Sequence, residues 1–467
     1  MMNSGLRENV KKELARVLDE SRILWNEADL LPYVKDTFRI RFDEDYKYFP
    51  DFVVLPETTT EVQGIVGVAS EHKIPLIPKG GGSNRTGMLV PIHGGIVVDT
   101  IRMNRVLEIS PPNLYVTVQT GITLKELESR LAEHGLALNQ EQGSFKIATV
   151  GGSIATSGFS RKHQKYGTIA DRVMSLEVVL ANGKVLRTGP KVLYTSTGYR
   201  LHQLFIASEG TLGIITEATL RVEPLPEAKD VTMAFYDDFW GANEVAQRMM
   251  ASCVTFASSE AFGVDDASDY GAPAGKQGIF YASFEGIKGE VEAEKAYVDQ
   301  LIRETGGIVT DPKSAWRFYE KYTVQWCGAR ALTGFEDALT TYVPMERMRE
   351  FYDKLWNDVM PRHGTTHLPG EKYSLDVGRY RIVAGRFHIR EGAEGWNEYQ
   401  RLLRDVAALA TGLGGSISTC HGVGIEHKNN LDLEYSPVAL RAMRSIKKVF
   451  DPDNIMNPGK KLPDEEA

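Results

Sequence analysis

Apolar and polar positions first follow the pattern of a small βαβ unit. An apolar strand pattern, FVVL, begins at Phe52, and an amphipathic helix is predicted from Thr60 to His72 after a run of capping threonines. A strand pattern, IPLIP, then leads into the glycine-rich segment PKGGGSNRTG, from Pro78 to Gly87, and another strand pattern covers Gly95 to Thr100. Further strands, one helix and an Asn182-Gly183 hairpin predict an α+β fold.

The pattern changes near Pro224, where the proline-rich and charged stretch RVEPLPEAKD predicts a domain boundary. Beyond it, strand patterns such as VTMAFY and QGIFYASFEG alternate with amphipathic helical patterns, which is typical of an antiparallel sheet covered by helices. We therefore predict a helical segment over residues 1–46, a first domain over 47–226 and a second over 227–467. The last ~40 residues are expected to return to the first domain.

Composition and charge narrow the class of protein. The chain has 467 residues, of which 42% are hydrophobic, enough for two or three globular domains. A net charge of -8 with scattered basic residues argues against a nucleic-acid partner. Three distant cysteines predict a reducing compartment, with Cys253 a buried free thiol. Because we find neither a secretory signal nor a transmembrane segment, we expect a cytoplasmic protein and leave a peripheral membrane contact open.

Three glycine-rich runs predict a site for a flat or anionic ligand. In the first, from Pro78 to Gly87, consecutive glycines leave backbone amides uncovered and permit positive φ, and two hydroxyl residues add donors. A second run, ATVGGSIATSGFS, covers Ala148 to Ser160, and a third, LFIASEGTLGIITEATL, covers Leu204 to Leu220. Taken alone, the first run fits a plain tight loop equally well, and the third fits a helix-to-strand turn.

The order and spacing of these runs over residues 47–226 resemble the FAD-binding oxidases and dehydrogenases of the vanillyl-alcohol oxidase type, also called the PCMH family. The resemblance implies a PCMH-type FAD-binding domain of two α+β subdomains, in which the first run wraps the FAD diphosphate. The FAD contacts that it implies are Pro78, Gly80, Gly81, Gly82, Ser83, Asn84, Gly87, Met88, Gly151, Gly152, Ser153, Thr156, Gly210, Ile214, Ile215 and Asn457. Because the first run has no His, the resemblance favours non-covalent FAD.

The second half resembles the C-terminal cap of D-lactate, glycolate and D-2-hydroxyglutarate dehydrogenases. The stretches QWCGAR, ending at Arg330, and GGSISTCHGVGIEHKNNL, containing His421, carry this resemblance. It implies that Arg330 pairs with a substrate carboxylate and that His421 takes the substrate hydroxyl proton. Guanidinium and imidazole groups suit these roles. The alternatives are a surface Arg on a helix and a structural His before a glycine turn.

The chain departs from the metal-dependent members of this group. Their HxGDGNxH run is replaced by RYRIVAGRFHI, in which His388 is retained and Arg381 stands in place of the first His, and Cys420 occupies the position of a Glu. We therefore predict no metal, although His388, Cys420 and His421 could still form a zinc site. Arg386 and His388 could contact an anionic group or be solvated residues on a strand.

The sequence thus predicts an FAD-dependent dehydrogenase or oxidase that oxidises a small 2-hydroxy acid, similar to D-lactate or glycolate, or a related alcohol by hydride transfer to flavin N5. A small anionic substrate and a homo-oligomer are expected. The electron acceptor stays open among oxygen, a quinone and an electron-transfer protein. One alternative is a transferase without net redox, since the CHGVG run resembles in part that of alkylglycerone-phosphate synthases. Another is a flavin electron-relay subunit of a complex.

Overall fold

A computed structural model of the protein describes residues 2–34, 36, 48–325, 336–364, 371–376, 381–388, 392–418 and 420–464. The strands of the first half are β1 (Ile23–Leu24), β2 (Phe52–Val54), β3 (Leu76–Lys79), β4 (Ile96–Asp99), β5 (Val106–Ser110), β6 (Tyr115–Gln119), β7 (Leu136–Ala137), β8 (Val173–Val179), β9 (Val185–Arg187), β10 (Ile214–Arg221) and β11 (Glu223–Pro224). Its helices are α1 (Ser4–Leu14), α2 (Glu27–Leu30), α3 (Thr59–His72), α4 (Leu124–Ala132), α5 (Val150–Ala155), α6 (His163–Tyr166), α7 (Ile169–Arg172) and α8 (His202–Phe205).

The second half continues the same alternation of strands and helices. Its strands are β12 (Ala228–Tyr236), β13 (Ser258–Val264), β14 (Gly278–Gly286), β15 (Ile308–Val309), β16 (Glu336–Tyr342), β17 (Glu371–Asp376) and β18 (Arg381–His388). Its helices are α9 (Phe239–Met250), α10 (Lys288–Glu304), α11 (Pro312–Gln325), α12 (Met348–Lys354), α13 (Met360–Arg362), α14 (Gly392–Gly412) and α15 (Pro437–Phe450), with a π-helical segment (Leu355–Val359) between α12 and α13. None of the helices described is both long and apolar enough to cross a membrane.

The first sheet has the strand order β1-β2-β4-β3, in which β2, β4 and β3 are parallel. Helix α3 begins at Thr59, one residue before the predicted start, and the Thr58 side chain caps it by accepting a hydrogen bond from Glu61 N. The apolar face of α3 packs on Phe52 and Val54, while the intervening Val53 lies in a separate apolar cluster on the other face. Both faces of the parallel strands are therefore covered, as their apolar sequences require.

The second sheet is antiparallel, with the order β5-β6-β10-β8-β9. Strands β8 and β9 form the predicted hairpin, in which Gly183 has φ +74°. The core under this sheet combines strand residues with the apolar faces of α4 and α5, including Leu127 and Ile154. The first half therefore consists of two neighbouring α+β units. The first glycine-rich run follows β3, the second contains α5, and the third leads into β10.

The sheet of the second half has the order β15-β12-β14-β13-β17-β18-β16, and every pairing in it is antiparallel. Alternate residues of its central strands enter different cores. On β14, Phe280 packs towards α9, α10 and α14, whereas Tyr281 packs towards α11. Helices on both faces explain why these strands are apolar almost throughout. The predicted α+β class and the helix-covered antiparallel sheet are confirmed.

The C-terminal residues pair with the first sheet. Ile455 O accepts a hydrogen bond from Leu76 N at 2.7 Å, and Asn457 N donates to Leu76 O at 2.8 Å. Ile455 and Met456 are buried in the core beneath this sheet. The domain division at residues 46 and 226 and the return of the last ~40 residues to the first domain stay predictions. The expectation for Cys253 is wrong: it lies just after α9 and is exposed.

Candidate functional site

The three glycine-rich runs lie against one another, and the first of them is at the carboxyl end of the parallel strand β3. A Cβ atom on Gly80 would stand 2.1 Å from Thr149 Oγ1, and one on Gly81 would stand 1.8 Å from Ile147 O. Gly210, with φ +72°, lies against the Pro78 ring, where a Cβ would be 3.0 Å from Pro78 Cγ. These approaches require glycine because any side chain would push the runs apart. Residues from three distant parts of the sequence thus form one continuous backbone surface.

Side-chain contacts fix the local conformation of the first and second runs. Lys79, at the end of β3, forms an ion pair with Asp99 at 2.8 Å. Thr149 caps α5 by accepting a hydrogen bond from Gly152 N, and Thr156 Oγ1 donates to Gly152 O at 2.9 Å. The other predicted FAD contacts in these runs lie on the same segments, and Ile214 and Ile215 begin β10.

Asn457 joins the first and third runs from the C-terminal side. Its Nδ2 atom donates to Met88 O at 3.1 Å and to Glu209 O at 2.8 Å. The nearby Lys460 Nζ donates to Val90 O at 2.7 Å. Desolvation and the neighbouring Lys428 together lower the pKa of Lys460 to about 7, against the opposing effects of Asp36 and Glu209. The end of the chain therefore completes the surface that the glycine runs begin.

His421 stands where the second domain meets the first run. Its carbonyl oxygen accepts a hydrogen bond from Asn84 Nδ2 at 2.9 Å, and its ring Nδ1 lies 3.2 Å from Thr340 Oγ1 on β16. When Nδ1 carries the proton and donates it to Thr340, the other ring nitrogen is left as an acceptor. His421 lines a cavity together with Arg85, Thr340, Thr341, Tyr399, Leu403, Val406, Ala407, Ile417, Glu426 and His427.

Glu209 holds the loop that follows His421, and it is a residue to which the sequence analysis gave no role. Its buried carboxylate accepts hydrogen bonds from Val423 N at 2.7 Å and Gly424 N at 2.8 Å, and lies 3.3 Å from Lys461 Nζ. Gly424 is needed because a Cβ there would stand 2.1 Å from Thr86 O. The signal in the sequence was an acidic residue inside an otherwise small and apolar turn, SEGTLG.

Replacing Glu209 with Gln should lower the free energy of unfolding by about 2 kcal/mol, because an amide cannot accept both backbone hydrogen bonds and pair with Lys461. Thermal unfolding followed by circular dichroism measures the effect. The control is Glu133→Gln, since Glu133 is exposed at the end of α4. Equal melting temperatures for Glu209→Gln and the control would contradict the conclusion that Glu209 stabilises the loop after His421.

Two buried titratable residues follow the HGVG run. Burial raises the pKa of the Glu426 carboxyl group, against the opposing effects of Arg85, a hydrogen bond from Tyr399 and His421. Burial also lowers the pKa of His427 to about 4, and His421 and Arg85 act in the same direction while Glu209 opposes them. The buried His427 Nδ1 makes no hydrogen bond to the described residues. His427 is therefore neutral at pH 7.

The low pKa of His427 predicts acid sensitivity. Unfolded His427 takes up a proton near pH 6.5, whereas the folded protein resists it down to about 4, so stability is complete above pH 6.5 and falls as the pH drops towards 4. When the pH falls from 7 to 5, the titration of this residue should lower the free energy of unfolding by about 2 kcal/mol. Melting temperatures of the wild type should thus fall more steeply than those of His427→Gln. The control is His134→Gln at an exposed position, which should behave as the wild type does. If the melting temperatures of His427→Gln and the wild type fall equally with pH, the low pKa of His427 is contradicted.

For the remaining predicted site residues, the structure gives at most the element on which they lie or their burial. Arg330 lies outside the described residues. Arg386 and His388 lie on β18, where His388 is in register with Glu336 of β16. Cys420 is half-buried and directly precedes His421. Among the side chains described, three residues with ligand atoms close enough for a metal ion are Glu13, Glu71 and His72, on α1 and α3. The roles of Arg330, Arg386 and His388 and the question of a metal at Cys420 and His421 stay predictions.

The glycine surface suits a flavin dinucleotide. The backbone at Gly80 to Gly82 carries no side chains, which is what close approach of a diphosphate requires. Beside the second run, Gln142 Oε1 accepts a hydrogen bond from Ser153 Oγ, while the buried Gln142 Nε2 has no hydrogen-bond partner in the part of the chain described. The buried Asn457 Oδ1 likewise lacks one there. Buried polar atoms of this kind are normally satisfied, and the polar edge of a bound ring system would satisfy them.

Comparison with known families agrees with this geometry. Residues 50–189 match the FAD binding domain family, and residues 225–461 match the family of FAD linked oxidases, C-terminal domain. The chain belongs to the FAD-linked oxidase family. It is an FAD-dependent oxidoreductase, and the predicted cofactor FAD is confirmed.

Relatives of the enzyme include two named oxidoreductases. It is 29% identical to the glycolate oxidase subunit GlcD of Bacillus subtilis, over 97% of each chain. It is 31% identical to a D-lactate dehydrogenase of Archaeoglobus fulgidus, over 87% of this chain and 90% of the relative. Among solved structures, an alkyldihydroxyacetonephosphate synthase has a TM-score of 0.78 and 21% identity, covering 96% of this chain and 85% of its own. That likeness concerns the fold alone.

Proposed function

We propose that the enzyme oxidises a small 2-hydroxy acid, of the size of D-lactate or glycolate, to the corresponding 2-oxo acid. The observation that carries the proposal is the position of His421, which lines a cavity while its backbone is bonded to the glycine run through Asn84. A proton acceptor at the junction of the cofactor surface and the second domain is what oxidation of an alcohol requires. The names of the relatives, glycolate oxidase and D-lactate dehydrogenase, support the same substrate class.

In this proposal the residues of the chain bind the acid and remove its hydroxyl proton. Arg330 pairs with the carboxylate, Arg386 and His388 contact the anionic side of the substrate, and His421 accepts the proton on the ring nitrogen opposite Thr340. The contact between His421 Nδ1 and Thr340 Oγ1 holds the ring in one orientation. Bound FAD, held without a covalent link by the glycine runs and Asn457, supplies the acceptor for the hydride.

A second candidate is a transferase that uses FAD without net redox. A relative named alkyldihydroxyacetonephosphate synthase in Dictyostelium discoideum, 27% identical over 92% of this chain, favours it. An electron-relay subunit is a third candidate, because the Bacillus relative is named as a subunit. These candidates differ in one observable: whether a small acid alone reduces the flavin.

Anaerobic mixing of the purified enzyme with a panel of D- and L-2-hydroxy acids and uncharged alcohols tests the proposal. We expect the visible flavin absorbance to bleach with one stereochemical class of 2-hydroxy acid and to persist with uncharged alcohols. Persistence of the oxidised spectrum with every acid would reject the proposed function and leave the transferase or the relay subunit. Release of FAD by acid precipitation tests the non-covalent link in the same preparation.

A further inference from the structure

Arg85 connects the first glycine run to the cavity of His421. Its two neighbours are bonded to the loop that follows His421: Asn84 Nδ2 donates to His421 O at 2.9 Å, and Thr86 O accepts from Ile425 N at 3.0 Å and from Glu426 N at 3.3 Å. Asn84 Oδ1 in turn accepts hydrogen bonds from Thr86 N and Thr86 Oγ1, both at 2.9 Å. Because both sides are clamped, the backbone of Arg85 is fixed beside the cavity.

The described lining of this cavity carries charged groups of both signs. Arg85 is half-buried and brings the guanidinium group, while Glu426 is buried and brings the carboxyl group. Glu426 also accepts a hydrogen bond from Tyr399 OH, and its Oε2 lies 3.7 Å from the His427 ring. With His427 neutral, Arg85 is the permanently charged cation of this set. Leu403, Val406 and Ala407 on α14 make another part of the described lining apolar, so Arg85 is the cation that this lining offers to an anion.

We propose that Arg85 binds the carboxylate of the substrate in the His421 cavity, and that Glu426 competes with this carboxylate for the guanidinium group. The inference rests on the proposed function and deepens it by adding an anion-binding residue from the cofactor-binding domain. A planar guanidinium recognises a carboxylate through paired hydrogen bonds. The reacting carbon of a 2-hydroxy acid is bonded to its carboxylate carbon, so an anchor that shares a cavity with His421 would hold the hydroxyl group near the base.

Binding measurements with an unreactive ligand separate this inference from catalysis. Pyruvate and its uncharged amide, pyruvamide, are titrated into the oxidised holoenzyme, and the dissociation constant is read from the change in the flavin spectrum. Arg85→Met should weaken pyruvate binding ~30-fold, as expected for lost charge-assisted hydrogen bonds, and change pyruvamide binding less than about 3-fold. Arg85→Lys should recover part of the loss because it keeps the charge without the planar pair.

The variant Glu426→Gln distinguishes an anion anchor from a structural ion pair. Gln keeps the size and an oxygen that can accept from Tyr399, and it removes the competing charge. We therefore expect pyruvate to bind about 5-fold more tightly, with pyruvamide unchanged. If Arg85 serves only as the partner of Glu426, this variant should weaken pyruvate binding as Arg85→Met does.

The control for the arginine substitution is Arg248→Met on the exposed side of α9, which loses a surface pair with Glu244 and should bind pyruvate as the wild type does. FAD content and melting temperature report whether each variant folds. Wild-type protein that binds no pyruvate, equal losses for pyruvate and pyruvamide in Arg85→Met, or weaker pyruvate binding in Glu426→Gln would each overturn the inference. Pyruvate binding that depends on Arg85 in an enzyme that no 2-hydroxy acid reduces would reject the proposed function alone.

Discussion

His421→Ala should reduce the rate of flavin reduction by a 2-hydroxy acid about a thousandfold, while the purified variant stays yellow. The loss follows from removal of the proton acceptor, since a positioned general base contributes ~10²–10⁴-fold to such a step. FAD should remain bound because the hydrogen bond from Asn84 reaches the backbone oxygen of His421, which alanine also provides. Anaerobic stopped-flow absorbance gives the rate, and the visible spectrum gives the FAD content.

The matched control for this variant is His134→Ala, because His134 is exposed just after α4. It should reduce its flavin at the wild-type rate. A pH profile adds a second readout: the wild-type rate should rise with pH through the titration of one group, and this dependence should disappear in His421→Ala. A variant that bleaches as fast as the wild type would contradict the assignment of His421 as the base.

Gly81→Ala should yield protein that holds almost no FAD. The added Cβ would stand 1.8 Å from Ile147 O and 2.7 Å from Ile147 C, which are backbone atoms and cannot move aside as a flexible side chain can. The first and second glycine runs would have to separate, and the surface for the diphosphate would be lost. We expect the FAD content of the purified variant to fall more than about tenfold, as measured by absorbance after denaturation.

Gly67→Ala serves as the control for this effect. Gly67 lies inside α3, and a Cβ there meets nothing within 4 Å. This variant should keep its FAD and gain about 0.5–1 kcal/mol of stability, because alanine is the better helix residue. Full FAD occupancy in Gly81→Ala would contradict the role given to the first glycine run.

The sequence predicted the elements that depend on residues close together in the chain, such as helix caps and tight turns. Helix α3 follows its capping threonines, and the Asn182-Gly183 hairpin follows from the positive φ that its turn needs. The strand and helix patterns of the second half predicted an antiparallel sheet covered by helices, and the structure shows that helices cover both faces. The close packing of the glycine runs fits their composition, because glycines at neighbouring surfaces permit contact at distances that side chains forbid.

The contacts that build the site depend on residues far apart in the sequence. Asn84 and His421 are separated by 337 positions, and Glu209 and Val423 by 214. Contacts between such distant positions leave no local pattern in the sequence. The hydrogen bonds between Glu209 and the loop after His421 were therefore not predicted, nor was the presence of Arg85 and Glu426 in one cavity. The expectation for Cys253 failed for a related reason: its position just after α9, outside the packed face of the helix, is set by tertiary packing.

In the proposed reaction the enzyme removes two electrons from a 2-hydroxy acid with FAD as the acceptor. Its most direct test is a single turnover without oxygen, in which the oxidised holoenzyme is mixed with a small excess of the acid that bleaches the flavin. We expect one molecule of 2-oxo acid for each FAD reduced, with the 2-oxo acid measured by chromatography and the reduced flavin by absorbance. Consumption of the acid without 2-oxo acid, or with the flavin still oxidised, would contradict it.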